Sequence, residues 1–240
     1  MKTWQKILIP TFISLAIGGI YLFSVWKQRQ NPGIIGQNQA SQTLSEDDVA
    51  VVRTLSPQHF DDLKQLEGTR VWMKNGYTMP YYAYEKGEVE FGNRAGLIPA
   101  AQPMDVKKIV KAAVPAKEDD SLEHGNRQAF AVFALPGNAK LFATPIGAMQ
   151  GDQEAYFTDA LFFYDDPHSI YTNWPKEVWA AIDAHQVKPG MSELETRMAI
   201  GQKVHPDGSK EGDRTVTYDQ DGKHRTVTYV KNRATAIKSE

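Results

Sequence analysis

Cysteine is absent from all 240 residues. Its absence excludes disulfide staples, thiolate metal sites, a cysteine nucleophile and a lipidated N-terminal cysteine, but does not fix the compartment. Also missing are a Walker A loop, a Gly-x-Gly-x-x-Gly run, a Gly-x-Ser-x-Gly elbow and any HExxH pair. With six histidines a Ser–His–Asp set could be assembled, yet no spacing selects one. No basic stripe interleaved with aromatics occurs, which argues against nucleic-acid binding. Acidic side chains are absent before residue 44, where four basic ones give +4. Residues 203–240 carry +2 (eight basic, six acidic), so with a net charge of −2 residues 44–202 carry −8.

What is present begins with ILIPTFISLAIGGIYLFSVW, Ile7 to Trp26, 20 residues without a charge. At ~1.5 Å rise per residue this run spans roughly the 30 Å of a hydrocarbon core. Trp4 and Trp26 stand at its ends, where amphipathic rings favour the interface. A cleaved signal peptide, with Ala16 and Gly18 before the cut, is the alternative; it leaves the apolar residues beyond Gly18 without a purpose. An uncleaved single-pass anchor is therefore expected. Lys2, Lys6 and the α-amino group slightly outnumber Lys27 and Arg29. That points to a cytoplasmic N-terminus, with the bulk of the chain outside the inner membrane.

Residues 30–45 are rich in Gln, Asn and Ser and read as a flexible tether. A short helix is expected to begin at Ser45. A second is expected from Ser56 to Gly68, with Ser56 as N-cap and Pro57 in the first turn. From Thr69 the apolar period becomes two. Asn75-Gly76 and Lys86-Gly87 mark hairpins, and three closely spaced strands suggest a small curled sheet of SH3-like type. Asp105 to Ala113 places Val106, Ile109, Val110 and Ala113 on one helical face and predicts an amphipathic helix. Three more strands follow: QAFAVFAL, AKLFATPI and EAYFTDALFFY, the first two joined at Pro136-Gly137-Asn138. About six strands are expected between residues 69 and 164.

The last quarter opens with NWPKEVWAAIDAHQV, a helix with Val178, Trp179 and Ile182 at helical spacing. Pro189-Gly190 turns the chain. Ser192 and Glu195 then form a capping box, and Gly201 is expected to close the helix in left-handed conformation. TVTY occurs at 215–218 and again at 226–229, with Asp221-Gly222 between; a turn at Lys231-Asn232 leads to a third strand. Two helices followed by three strands, with Gly190, Met191, Ser192 and Gly201 in place, resemble the BamE/SmpA-like family of envelope modules. The resemblance covers roughly Trp174 to Lys238. It implies two helices packed on a three-stranded antiparallel sheet, and an envelope setting. Outer-membrane members carry a lipidated cysteine and usually a proline soon after the closing glycine; this chain has neither.

Candidate chemistry is sparse. Asp165, Asp166 and His168 are close in sequence and His185 follows on the next helix. A metal-dependent hydrolase would need such donors to converge; the competing reading is a turn whose aspartates bond local N–H groups. Glu118 to His124 reads as a solvated loop. Tyr81, Tyr82 and Tyr84 are a candidate interaction surface, with Tyr82 and Tyr84 on one strand face and Tyr81 on the other; filling a β core is the alternative.

The sequence thus predicts an α+β chain in four parts: an N-terminal membrane anchor (1–29), a tether (30–45), a β-rich domain (46–170) and a BamE-like module (171–240). A non-catalytic, membrane-anchored binding or scaffold protein of the bacterial envelope is expected, with an envelope protein partner, no cofactor and no resident metal. A hydrolase using Asp165, Asp166 and His168, or a ligand-sensing domain, is the alternative.

Overall fold

The computed structural model describes residues 50–74, 79–115, 127–150, 153–201, 203–207, 210–220 and 223–239. The expected anchor, the tether, the Asn75-Gly76 and Asp221-Gly222 turns and the Glu118–His124 loop lie outside these residues. Among the described residues no helix is long and apolar enough to cross a membrane. Residues Val49–Glu240 form one compact unit of α+β class.

Alternation of apolar side chains builds a large antiparallel sheet from β1 (Arg70–Met73), β2 (Pro80–Glu85), β3 (Glu88–Leu97), β4 (Pro103–Ala113), β5 (Arg127–Ala134), β6 (Leu141–Gln150), β7 (Gln153–Tyr156) and β8 (Phe162–Phe163). Its order is β3-β2-β6-β5-β4-β1-β8, with β7 beside β6. Short helices α1 (Thr158–Leu161), α2 (Pro167–Ile170), α3 (Lys176–Asp183) and α4 (Glu193–Ile200) follow. Strands β9 (Lys203–Pro206), β10 (Thr215–Gln220), β11 (Lys223–Val230) and β12 (Arg233–Ser239) make a second sheet, ordered β12-β11-β10-β9.

Several expectations are corrected. Strands β1 and β2, expected as a hairpin about Asn75-Gly76 and as part of a small three-stranded curled sheet, do not pair: β1 lies between β4 and β8, and β2 between β3 and β6. The helix expected over Asp105–Ala113 is the body of β4. A bulge between Val106 and Lys108 adds one residue, so Val106 and Ile109, three apart, reach the same core. That spacing imitates a helical stripe, while β-branched Val and Ile suit a strand. EAYFTDALFFY is not one strand: α1 interrupts it where the Asp159 carboxylate takes the N–H groups of Leu55 and Ser56, both at 2.8 Å. With β4 added and that segment split, eight strands stand where about six were expected. Residues 50–57 are not helical, and Ser56 has φ +47 and caps nothing. The helix there is a 3-10 turn, Phe60–Leu66, whose Asp62 carboxylate instead takes the N–H groups of Gln58 (2.9 Å) and His59 (2.8 Å). Gly201 has φ −92 and is not left-handed. A side chain there would lie 2.6 Å from the Arg197 Cα, so close approach, not handedness, requires glycine.

Other local readings hold. Ser192 Oγ accepts from the Glu195 N–H at 3.1 Å and the Glu195 carboxylate accepts from the Ser192 N–H at 2.6 Å, the reciprocal cap read from the sequence. Lys86-Gly87 and Lys231-Asn232 have positive φ at both positions, as tight hairpins require. The second sheet contains β9 in addition to the three expected strands.

Successive strand residues face opposite ways, and the large sheet buries both faces. Val71, Met73 and Phe162 enter a first core with Met104, Phe133 and Leu161. Trp72 and Phe163, their chain neighbours, point into a second core with Trp174, Ile182, Met198 and the buried tyrosines of the second sheet. At the other end of the large sheet, Tyr82, Phe130 and Val132 form a third core. The stretch Ala50–Leu55 ties the first two together, with Val52 on the second core and Leu55 on the first.

Candidate functional site

Asp165, Asp166 and His168 lie at the start of α2. The Asp166 carboxylate accepts the His168 N–H at 2.9 Å and contacts its ring Nδ1 at 2.8 Å, capping the helix as an aspartate before proline does. The imidazole stacks on Trp179 with centroids 3.9 Å apart, and its Nε2 lies 3.6 Å from Asp183. Asp165 lies 3.5 Å from Arg53. His185 reaches the Ala199 carbonyl at 3.3 Å. The two carboxylates flanking His168 stand at opposite edges of its ring, so they cannot share one ion with it. Among the described residues no three His, Asp or Glu side chains are arranged to hold a metal.

The tyrosines divide as strand alternation demands. Tyr82 is wholly buried in the third core, while Tyr81 packs against Phe142 at 5.1 Å on the first. Tyr84 is half-buried and packs at the edge of the third core. Of the three, Tyr84 lines the cleft described next.

Phe91 of β3 meets Phe130 of β5 edge-on at 5.6 Å. Two strands, β2 and β6, separate them in the sheet order, so a flat sheet would hold them about 14 Å apart. The sheet is therefore coiled, bringing β3 round towards β4. Between them lies a cleft of about 280 Å³ with Tyr84, Val89, Phe91, Val110 and Ala112 as apolar lining and Glu88 and Lys111 beside them. Sequence reasoning named Tyr84 and Val110 but could not foresee the cleft, because its two walls meet only through the curl.

Two polar hubs also escaped the sequence. Glu193, with 1% of its surface exposed, accepts from the Gly212 N–H at 3.0 Å and from Arg214 Nη2 at 2.6 Å and Nε at 3.2 Å. Hydrogen bonding to Glu193 holds the Arg214 guanidinium above its ordinary range. Asp159 is the second hub: besides Leu55 and Ser56 it accepts the Tyr164 hydroxyl at 2.7 Å. Burial pushes the Asp159 carboxyl up, but the Leu55 N–H, the Tyr164 hydroxyl, the Ser56 N–H and the Lys74 ammonium together outweigh it and hold it below the usual carboxylate range. Burial lowers Lys74, whose ammonium donates to the Asp159 carbonyl at 2.5 Å.

No family model, curated protein or solved structure matches the chain.

Proposed function

We propose that this chain is a membrane-tethered, extracytoplasmic binding or scaffold protein of a bacterial envelope, acting through surfaces and not through bond chemistry. One observation carries the reading: an uncharged run of 20 residues, Ile7 to Trp26, precedes the compact unit of residues Val49–Glu240. A Gln/Asn/Ser-rich stretch between them has the composition of a spacer. The anchor rests on that run alone. Helix, helix and antiparallel strands in the C-terminal third, with a capping box at Ser192, support the likeness to BamE/SmpA-like envelope modules. The coiled β3–β4 end of the large sheet supplies a surface for a partner.

Fractionation tests the tether. The full chain should stay with the membrane through alkaline carbonate washing, and a variant with Leu15→Lys and Ile17→Lys should be released. In-cell crosslinking should then recover an envelope protein. A freely dissolved full-length chain would sink the proposal.

A further inference from the structure

Two strand edges border the cleft: that of β3, at the end of the sheet, and that of the second half of β4, beyond its pairing with β1. Among the described residues, strand β3 pairs only with β2. Strand β4 pairs with β1 up to Asp105, and Gly68 and Thr69 extend that pairing to Val106. Beyond it, the Ile109 N–H goes to the Glu67 carboxylate at 2.8 Å, away from β5. Residues of an antiparallel ladder alternately turn their main-chain groups towards the partner and away from it. The β4–β5 register is unbroken from Lys108 to Ala113. Lys111 and Ala113, two and four residues after Ile109, therefore also turn their N–H and C=O groups outward. On β3 the two-residue turn makes Glu85 and Glu88 the bonded pair, so Val89, opposite Tyr84, turns outward as well. Among the described residues, no main-chain group meets Val89, Lys111 or Ala113 on that outer side.

A long open edge is normally blunted by proline, a bulge or an inward charge. Here β3 carries its bulge at Phe91–Asn93, but the stretch of β4 beside the cleft has none. Lys111, the charge that would guard it, folds over the Phe60 ring at 4.3 Å on the first-core side. The cleft side keeps Val110 and Ala112 as a half-buried floor. Lys107 and Lys108, both exposed, make the start of this edge basic.

We propose that the β3–β4 cleft is a strand acceptor. It takes one extended segment of a partner protein, which adds a strand to β4 at Lys111 and Ala113. Alternate apolar side chains of that segment seat on Phe91, Val110 and Ala112, and an acidic side chain meets Lys108. This is pairing by strand addition: main-chain hydrogen bonds supply affinity, and the side-chain pockets and lysines supply selection. The inference rests on the reading of the chain as a binding protein and names the kind of partner that surface fits.

The test uses the full chain in detergent and a fluorescein-labelled, acetylated peptide of about eight residues alternating valine with glutamate or threonine. A twin with a central proline is the control. Fluorescence anisotropy should show saturable binding of the first peptide and at least tenfold weaker binding of the twin. Lys111→Pro removes an outward N–H that serves no ladder bond, and should weaken binding at least tenfold. Lys111→Gln, which keeps that N–H, should stay within about threefold of wild type. Should Lys111→Pro fail to fold by circular dichroism, Ala112→Arg, which fills the floor, must produce the same loss. Amide exchange at Lys111 and Ala113 should slow in the complex. Absence of saturable binding, equal binding to the blocked variants, or protection confined to another surface overturns the site. A partner crosslinked elsewhere on the chain would do the same while leaving the binding-protein reading standing.

Discussion

The hydroxyls of Tyr218 and Tyr229 lie 2.7 Å apart, between two rings that are both withdrawn from solvent beneath α4. They come from neighbouring strands of the second sheet, in the paired TVTY repeats. Each group satisfies the other where water does not reach. Tyr218→Phe should cost about 1–3 kcal/mol, because a buried hydroxyl loses its partner. The Tyr218→Phe/Tyr229→Phe double variant should cost less than the sum of the two single changes. Urea unfolding of the four proteins in the cycle measures the coupling.

The same pair predicts alkaline behaviour. Burial pushes Tyr229 up to about 12 and Tyr218 higher still. The folded state disfavours tyrosinate, so this contribution is complete below about pH 10, the ordinary tyrosine value. It is lost as pH rises through about 12. Tyrosinate absorbance should therefore go on rising well beyond pH 10, with Tyr218 and Tyr229 ionising only as the sheet opens. A single smooth titration of all ten tyrosines centred near 10 would contradict the burial.

Asp159 predicts the acid side. Its folded carboxyl lies below the usual range, so its stabilisation is present above about pH 4, the unfolded value. It is lost as pH falls through the folded value. Asp159→Asn should lower the urea midpoint at pH 7, and the gap from wild type should narrow at pH 3. Asparagine keeps one acceptor oxygen, so a loss of about 1–2 kcal/mol at pH 7 is expected.

Glu193 and Arg214 form a pair that is far costlier to break than to replace. Arg214→Met leaves a carboxylate in the interior with the Gly212 N–H and should cost about 3–5 kcal/mol. Glu193→Gln with Arg214→Met should recover part of that loss. Thermal melts of the three variants order them directly.

Two glycines flank α4 for different reasons, and their alanine variants should differ. Gly190 has φ +87 with open space around it, so alanine there should cost about 1–2 kcal/mol of backbone strain. At Gly201 the added carbon meets the Arg197 backbone at 2.6 Å, and the turn must shift. Gly201→Ala should be the more damaging change, by denaturant midpoint, and Ser192→Ala should cost about 1 kcal/mol for the lost cap.

Local chemistry was legible where it closes within a few residues. Ser192 and Glu195 cap one helix, and the glycine, lysine and asparagine turns at 86–87 and 231–232 need no distant partner. What failed depends on distant chain. Val106 and Ile109 share a face only because β4 bulges against β5. Thr158–Leu161 leaves the strand where Asp159 binds residues about a hundred positions earlier. The cleft exists because Phe91 finds Phe130 across two intervening strands. In the sequence, Asp165, Asp166 and His168 fit both a turn and a candidate site. Their neighbours Arg53, Trp179 and Asp183 show what they pack with, and none of these is visible in the local stretch.

Phe162 and Phe163 are adjacent in the chain, yet one is locked into the first core and the other into the second. A rivet of two aromatic rings through one sheet edge gives neither half a separate melting point. Heating should therefore produce one calorimetric peak whose van't Hoff and measured enthalpies agree. Cutting the chain near residue 170 should leave two pieces that each shed a ring's worth of buried surface, and neither should behave as a well-formed domain.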